Sequence, residues 1–310
     1  MSGPRSQEAG VNFIDAPPRD LTALLPQASV EISSQGHQLD QLRDNFTPGT
    51  DVTITFLPGD NYRHNIETAV ALRRAGFNPV PHIAAREISS RQALDDFLAR
   101  ARFEAGVGRV LIIAGDVARV KGPFKSSFEV CASGAIEAHG IKSVSIAGHP
   151  EGHPFLDAAQ ARAVLGRWRD WGRGAGIDIS IVSQFCFESV PILGWMKELE
   201  AGGIDLPVII GLAGPATPAT LMKFALRCGV GNSMRAVRSQ IGRFGRLLTD
   251  AGPDEVVRGL ARAPAAATAH VAGFHLFPFG GLRKTANWLR DQDVHPTSLV
   301  GNRPGTGRDP

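Results

Sequence analysis

Six residues spread along the chain, Glu31, Thr55, His82, Asp116, His149 and Gln184, stand at or near the ends of short runs rich in apolar and β-branched side chains. Two carboxylic acids, two imidazoles, an amide and a hydroxyl make a set suited to proton transfer around an organic ligand. The stretch "RVLIIAGDVAR" (109–119) shows the pattern best: a buried strand breaks off on Gly115-Asp116. Gly-Asp is also ordinary turn chemistry, so one such ending decides nothing. Six in register are another matter, because an apolar barrel interior tolerates polar groups only when they pair or face a ligand. Rival chemistries fit less well. A Schiff-base enzyme needs a lysine at a strand end, and these ends carry none. The first strand, "SVEIS", lacks a His-x-His pair, and "HPEGH" (His149, Glu151, His153) is broken by Pro150 and Gly152, which makes it a polar loop rather than a metal site. No G-x-S-x-G elbow is present.

The elements that would position these groups alternate. Strands are expected at 28–33, 51–57, 78–83, 109–115, 142–148, 178–185, 207–212 and 269–277. Between them, Ile66, Ala69, Val70 and Arg73 follow a helical period ended near Gly76. Ala93, Leu94, Phe97, Leu98 and Ala101 form an apolar stripe ended at Gly106. "LDAAQARAVLGRWRDWG", "PILGWMKELEAGG" and "PATLMKFALRCGVG" read as helices too. Eight strand–helix units in about 260 residues predict an α/β fold, a (β/α)8 TIM barrel, as a single domain. A doubly wound sheet is disfavoured because the first strand lacks a G-x-G-x-x-G turn. The barrel is expected over 27–294, with a flexible N-terminal arm at 1–26 and a disordered tail at 295–310. In such a barrel the active site lies at the carboxyl ends of the strands.

Composition narrows the partners. The 310 residues are 43% hydrophobic and 20% charged, with a net charge of +3. The cations are scattered and there is one tyrosine, which argues against nucleic acid. No apolar stretch is long enough to span a membrane and no signal-like h-region opens the chain, so a cytoplasmic protein is expected. Cys131, Cys186 and Cys228 lie far apart without a CxxC and read as reduced thiols. The helical stripes would serve inward packing and a homo-oligomer equally.

The pieces "AGD" (114–116), "AGHPEGHP" (147–154) and "SQFCFE" (183–188), in this order with "PHIAAR" and "GFHLFPFGGL", resemble the methylenetetrahydrofolate reductases. The likeness covers about residues 28–290. It implies a flavin-dependent barrel that holds FAD across its mouth without a Rossmann fold. NADH or NADPH and a folate would then meet the flavin in turn, interconverting 5,10-methylenetetrahydrofolate and 5-methyltetrahydrofolate. Carried over, Glu31 would be the general acid and Asp116 would sit beside flavin and pterin. Gln184 and Phe187 would contact the substrate. Thr55, His82, Ile113, Ala114, Gly115, Asp116, His149, His153 and Arg169 would hold FAD. The chain departs from the family pattern at Ala114, where arginine is common, at His149, where tyrosine is usual, and at Arg162, where an acid often stands. Arg169 is the nearest match to a lysine expected to face the FAD phosphates. A flavin barrel oxidising another amine and a non-catalytic folate-binding protein are the alternative readings.

Overall fold

Branched aliphatic residues recur at every second position of the strand segments: Val30 and Ile32, Val52 and Ile54, Val110 and Ile112, Val144 and Ile146, Ile179 and Ile181. This period puts them on one face of a pleated strand, and all ten are buried in one continuous core. The computed structural model describes residues 20–34, 38–117, 119–153, 155–230 and 250–294. Its strands are β1 (Ser29–Ser33), β2 (Asp51–Thr55), β3 (Asn78–Ala84), β4 (Arg109–Ile113), β5 (Ser143–Gly148), β6 (Asp178–Ser183), β7 (Val208–Ala213) and β8 (Val271–Phe277). They form a closed parallel barrel in chain order, sealed where Ser29 and Val30 pair with His275 and Leu276. The TIM barrel expected from the alternation is the observed fold.

The α-helices among the described residues are α1 (Leu39–Asn45), α2 (Tyr62–Arg74), α3 (Arg91–Ala105), α4 (Ser127–Ala132), α5 (Ala135–Ala138), α6 (Ala158–Ala175), α7 (Ser189–Ala201), α8 (Pro218–Arg227), α9 (Asp254–Ala261) and α10 (Leu282–Val294). Their buried faces, such as Leu94, Phe97, Leu98 and Ala101 of α3, join the outward strand residues in the same core. Local chemistry sets the ends. The Ser90 side chain accepts from the Ala93 N–H at the start of α3, and Gly106 closes it at φ 60°. A capping box between Asp157 and Gln160 opens α6. Of the arm expected at 1–26, residues 1–19 lie outside the described residues, while Leu21 and Leu25, flanking and within the short helix Thr22–Gln27, are fully buried. The tail expected at 295–310 lies outside the described residues.

The inward faces differ from end to end. At the amino-terminal end Arg109 of β4 donates to Asp51 of β2 at 2.7 Å, and Asn78 of β3 donates to the same carboxylate at 3.1 Å. Higher up, Val80, Leu111 and Val182 form a small apolar plug with Ile113 and Ile209 against it. On other strands, polar groups occupy the carboxyl-terminal half.

Candidate functional site

Glu31 of β1 reaches across the barrel to His82 of β3. Its Oε2 lies 3.8 Å from His82 Nε2 and 3.9 Å from His275 Nε2 on β8. Strand β2 separates β1 from β3 in the sheet, so the first contact can form only through the interior. His275 is 1% exposed and its Nδ1 is 2.8 Å from the Ser29 hydroxyl, which also faces the Phe274 carbonyl at 3.4 Å. If that hydroxyl donates to the carbonyl, it accepts from His275, so Nδ1 carries a proton. The Nε2 atoms of His82 and His275 are both buried without a hydrogen-bond partner among the described residues. Burial pulls His82 down to about 4; the Glu31 charge opposes this and His275 reinforces it. His82 is therefore neutral at pH 7. The Glu31 side chain is 19% exposed, so it can meet both solvent and ligand.

Asp116 follows Gly115, whose φ of 89° turns the chain sharply off β4, a conformation that favours glycine. The carboxylate is exposed. Glu31 and Asp116 share a neighbour in Cys228, just beyond α8. Burial pushes that thiol up, Glu31 pushes it further, Arg227 opposes, and Asp116 adds to the rise. Cys228 is exposed as a residue, yet its thiol senses burial because it lines a small cleft with His149, Glu151, Gln184, Phe185 and Cys186. Expected as one of three reduced thiols, it is the exposed one, whereas Cys131 and Cys186 are buried.

The other expected residues divide. Gln184 accepts the Phe185 N–H at 3.0 Å through Oε1, which leaves its Nε2 group as the donor end. Thr55 donates to the Ile32 carbonyl at 3.1 Å, so its hydroxyl proton is already engaged. His149 and His153 meet edge-on at 4.6 Å. Burial, then its neighbour His153, holds His149 down at about 4, and burial lowers His153 as well. Phe187 packs edge-on against Phe185 at 5.5 Å, in a satellite cluster that also holds Phe277 and Phe279. Ile113 lies against the interior plug, and the Ala114 carbonyl accepts from Arg86 N–H. Arg169 is not brought to the mouth. It lies roughly 16 Å down α6 from that helix's first residue, donating to Asp170 at 2.8 Å and to the Gly203 carbonyl at 2.5 Å beyond the end of α7. Helices in this fold begin at the mouth and end at the opposite face, so Arg169 belongs to the amino-terminal side.

Ser29 and His275 were not singled out from the sequence. The signal was the period of two in "GFHLF", which places His275 on the same face as the strand-ending Phe277, but only barrel closure sets it beside Ser29.

These features define a parallel (β/α)8 barrel with a carboxylate–imidazole cluster inside it, contributed by β1, β3 and β8. No family model matches the chain. A 5,10-methylenetetrahydrofolate reductase of Pectobacterium carotovorum subsp. carotovorum is 24% identical over 182 residues, a match that spans 58% of this chain and 58% of that relative. An uncharacterized protein from Clostridium thermocellum, solved with two copies of 5-methyl-5,6,7,8-tetrahydrofolic acid bound, superposes with a TM-score of 0.53 at 11% identity, over 88% of this chain and 98% of that one. The likeness is one of fold. Dihydropteroate synthase from Thermus thermophilus matches at a TM-score of 0.44 and 13% identity, over 86% and 92%. The resemblance to methylenetetrahydrofolate reductases seen in the motifs is thus also found in this 182-residue match, at 24% identity. Among the described residues no helix is long and apolar enough to cross a membrane.

Proposed function

We propose that this protein interconverts 5,10-methylenetetrahydrofolate and 5-methyltetrahydrofolate, with Glu31 as the proton donor. The observation that carries the reading is the buried constellation of Glu31 between His82 and His275, with Ser29 behind the second imidazole. A carboxyl set beside a neutral His82 and partly open to solvent stands where it can pass a proton to a polar ligand. Reduction needs that proton. Glu31 gives it to the folate nitrogen that leaves the five-membered ring, the carbon–nitrogen bond breaks, and the resulting iminium carbon accepts a hydride from the reduced nicotinamide, NADH or NADPH, which leaves as NAD+ or NADP+, to become the methyl group. Gln184, through its donor end, orients the pterin, and Asp116 lies beside it at the rim. Phe187 offers an aromatic edge on the same side.

The residues implied to hold FAD fit it in part. His82, residues 113–116, His149 and His153 stand at the mouth and suit a flat, nitrogen-rich ring, which describes a pterin as well as a flavin. The diphosphate end is not met by Arg169, which is engaged at the opposite face, and at the start of α6 the capping box takes up the N–H groups of Asp157 and Gln160. Among the described residues, Arg169 thus does not fit the FAD phosphates.

The test is anaerobic turnover of purified protein with methylenetetrahydrofolate and NADH or NADPH, with and without added FAD, following 5-methyltetrahydrofolate. Product in either condition supports the reading. Tight folate binding with no product from either donor would make the protein a folate binder, and no folate binding would overturn the reading altogether.

A further inference from the structure

Asp116 makes no hydrogen bond or ion pair among the described residues, so its place over the mouth is set by the backbone that carries it. That backbone is held by the short turn after β3. Arg86 donates its own N–H to the Ala114 carbonyl at 3.0 Å and accepts the Lys121 N–H on its carbonyl at 2.8 Å. Its side-chain Nε donates to the Lys125 carbonyl at 3.1 Å. One residue thus ties down the segment before Asp116 and two points after it. Glu87, next in the chain, pairs its buried carboxylate with the Lys121 ammonium. Close packing seals the joint: a Cβ on Gly122 would fall 2.3 Å from the Ile88 carbonyl oxygen, and one on Gly115 would stand 3.3 Å from the Ala84 Cβ.

We propose that Arg86 and the Glu87–Lys121 pair are positioning residues for the folate reaction, acting through Asp116. This rests on the reading of Asp116 as a group beside the ligand. A buried carboxylate needs its cation, so the pair is kept closed by the desolvation of Glu87. The three Arg86 bonds turn that closed pair into a fixed height and angle for residues 114–117. The device differs from an ordinary loop anchor in having one consequence: with the Asp116 carboxylate neutralised, the ion pair has nothing left to position.

The test is a double-mutant cycle. Glu87→Gln with Lys121→Met removes the ion pair without leaving a buried charge, and it is combined with Asp116→Asn. Folate kcat and KM and the affinity for 5-methyltetrahydrofolate are measured on all forms. The expected result is a roughly tenfold loss in the pair variant and little further loss when Asp116→Asn is already present, the signature of strongly coupled sites. Lys121→Arg should recover the loss. Losses that simply multiply would overturn the proposal, as would a pair variant with wild-type kinetics, or normal turnover in Asp116→Asn. If the pair variant does not fold, Arg86→Lys, which keeps the charge and the backbone bonds but loses the Nε contact, is taken through the same cycle and judged by the same outcomes. Failure of the wild-type protein to bind or turn over folate refutes the proposed function itself, and is read separately from any variant.

Discussion

Replacing Glu31 with glutamine tests the proton-transfer reading most directly. The amide has nearly the carboxyl's shape, so His82 and His275 keep a neighbour of the same size, but it has no proton to give. Loss of general acid catalysis lowers rates by about 10² to 10⁴, and that drop is expected in folate reduction while 5-methyltetrahydrofolate binding changes little. Two further signals follow from the geometry. The Glu31 charge raises His82, so removing it lets the His82 midpoint fall below about 4, as ring-proton NMR would show. The same charge raises the Cys228 thiol, so Glu31→Gln should bring the pH midpoint of Cys228 alkylation down. A variant with both titration shifts and an undiminished rate would refute the general-acid role while confirming the geometry. A variant with neither shift would show that Glu31 does not stand where the barrel puts it.

Other expectations bear on stability and on the two ends of the barrel. His82 is held at about 4 against an ordinary 6.5, so the unfolded chain binds its proton first as the pH falls. The stabilisation is therefore full above pH 6.5 and lost between 6.5 and 4, on the order of 3 kcal/mol; urea midpoints should fall across that window and His82→Asn should flatten the slope. Arg109→Met opens the ion pair with Asp51 at the amino-terminal end; because both side chains are partly exposed, about 1 kcal/mol of stability is expected to go, with folate affinity unchanged. A Cβ on Gly211 would fall 2.2 Å from the Ser183 carbonyl oxygen and 2.8 Å from the Phe277 ring, so Gly211→Ala should lower the melting temperature by several degrees and displace Gln184 enough to weaken folate binding. An unchanged affinity in that variant would separate Gln184 from the ligand.

The eight strands were legible because the physics that makes them is local. A period of two in Val30 and Ile32 or Val144 and Ile146 is written in consecutive residues, and so are caps such as Ser90 and Gly106. The parallel order followed from the alternation of strand and helix. The strand-end residues could likewise be placed at one end of the barrel, because direction along a strand is a property of the chain. Distances across the barrel are not local, and these were decided by closure. Glu31 and His275 are 244 positions apart in sequence, and only the pairing of β1 with β8 brings His275 against Ser29 and Glu31. Arg169 shows the converse: the family resemblance implied that it faces the FAD phosphates, but the length of α6 carries it to the far face, where the Gly203 carbonyl takes it up. Residue types determined which chemistry this chain could do. The closed sheet decided which of those residues meet, because contact between distant strands depends on tilt and register summed around the whole barrel.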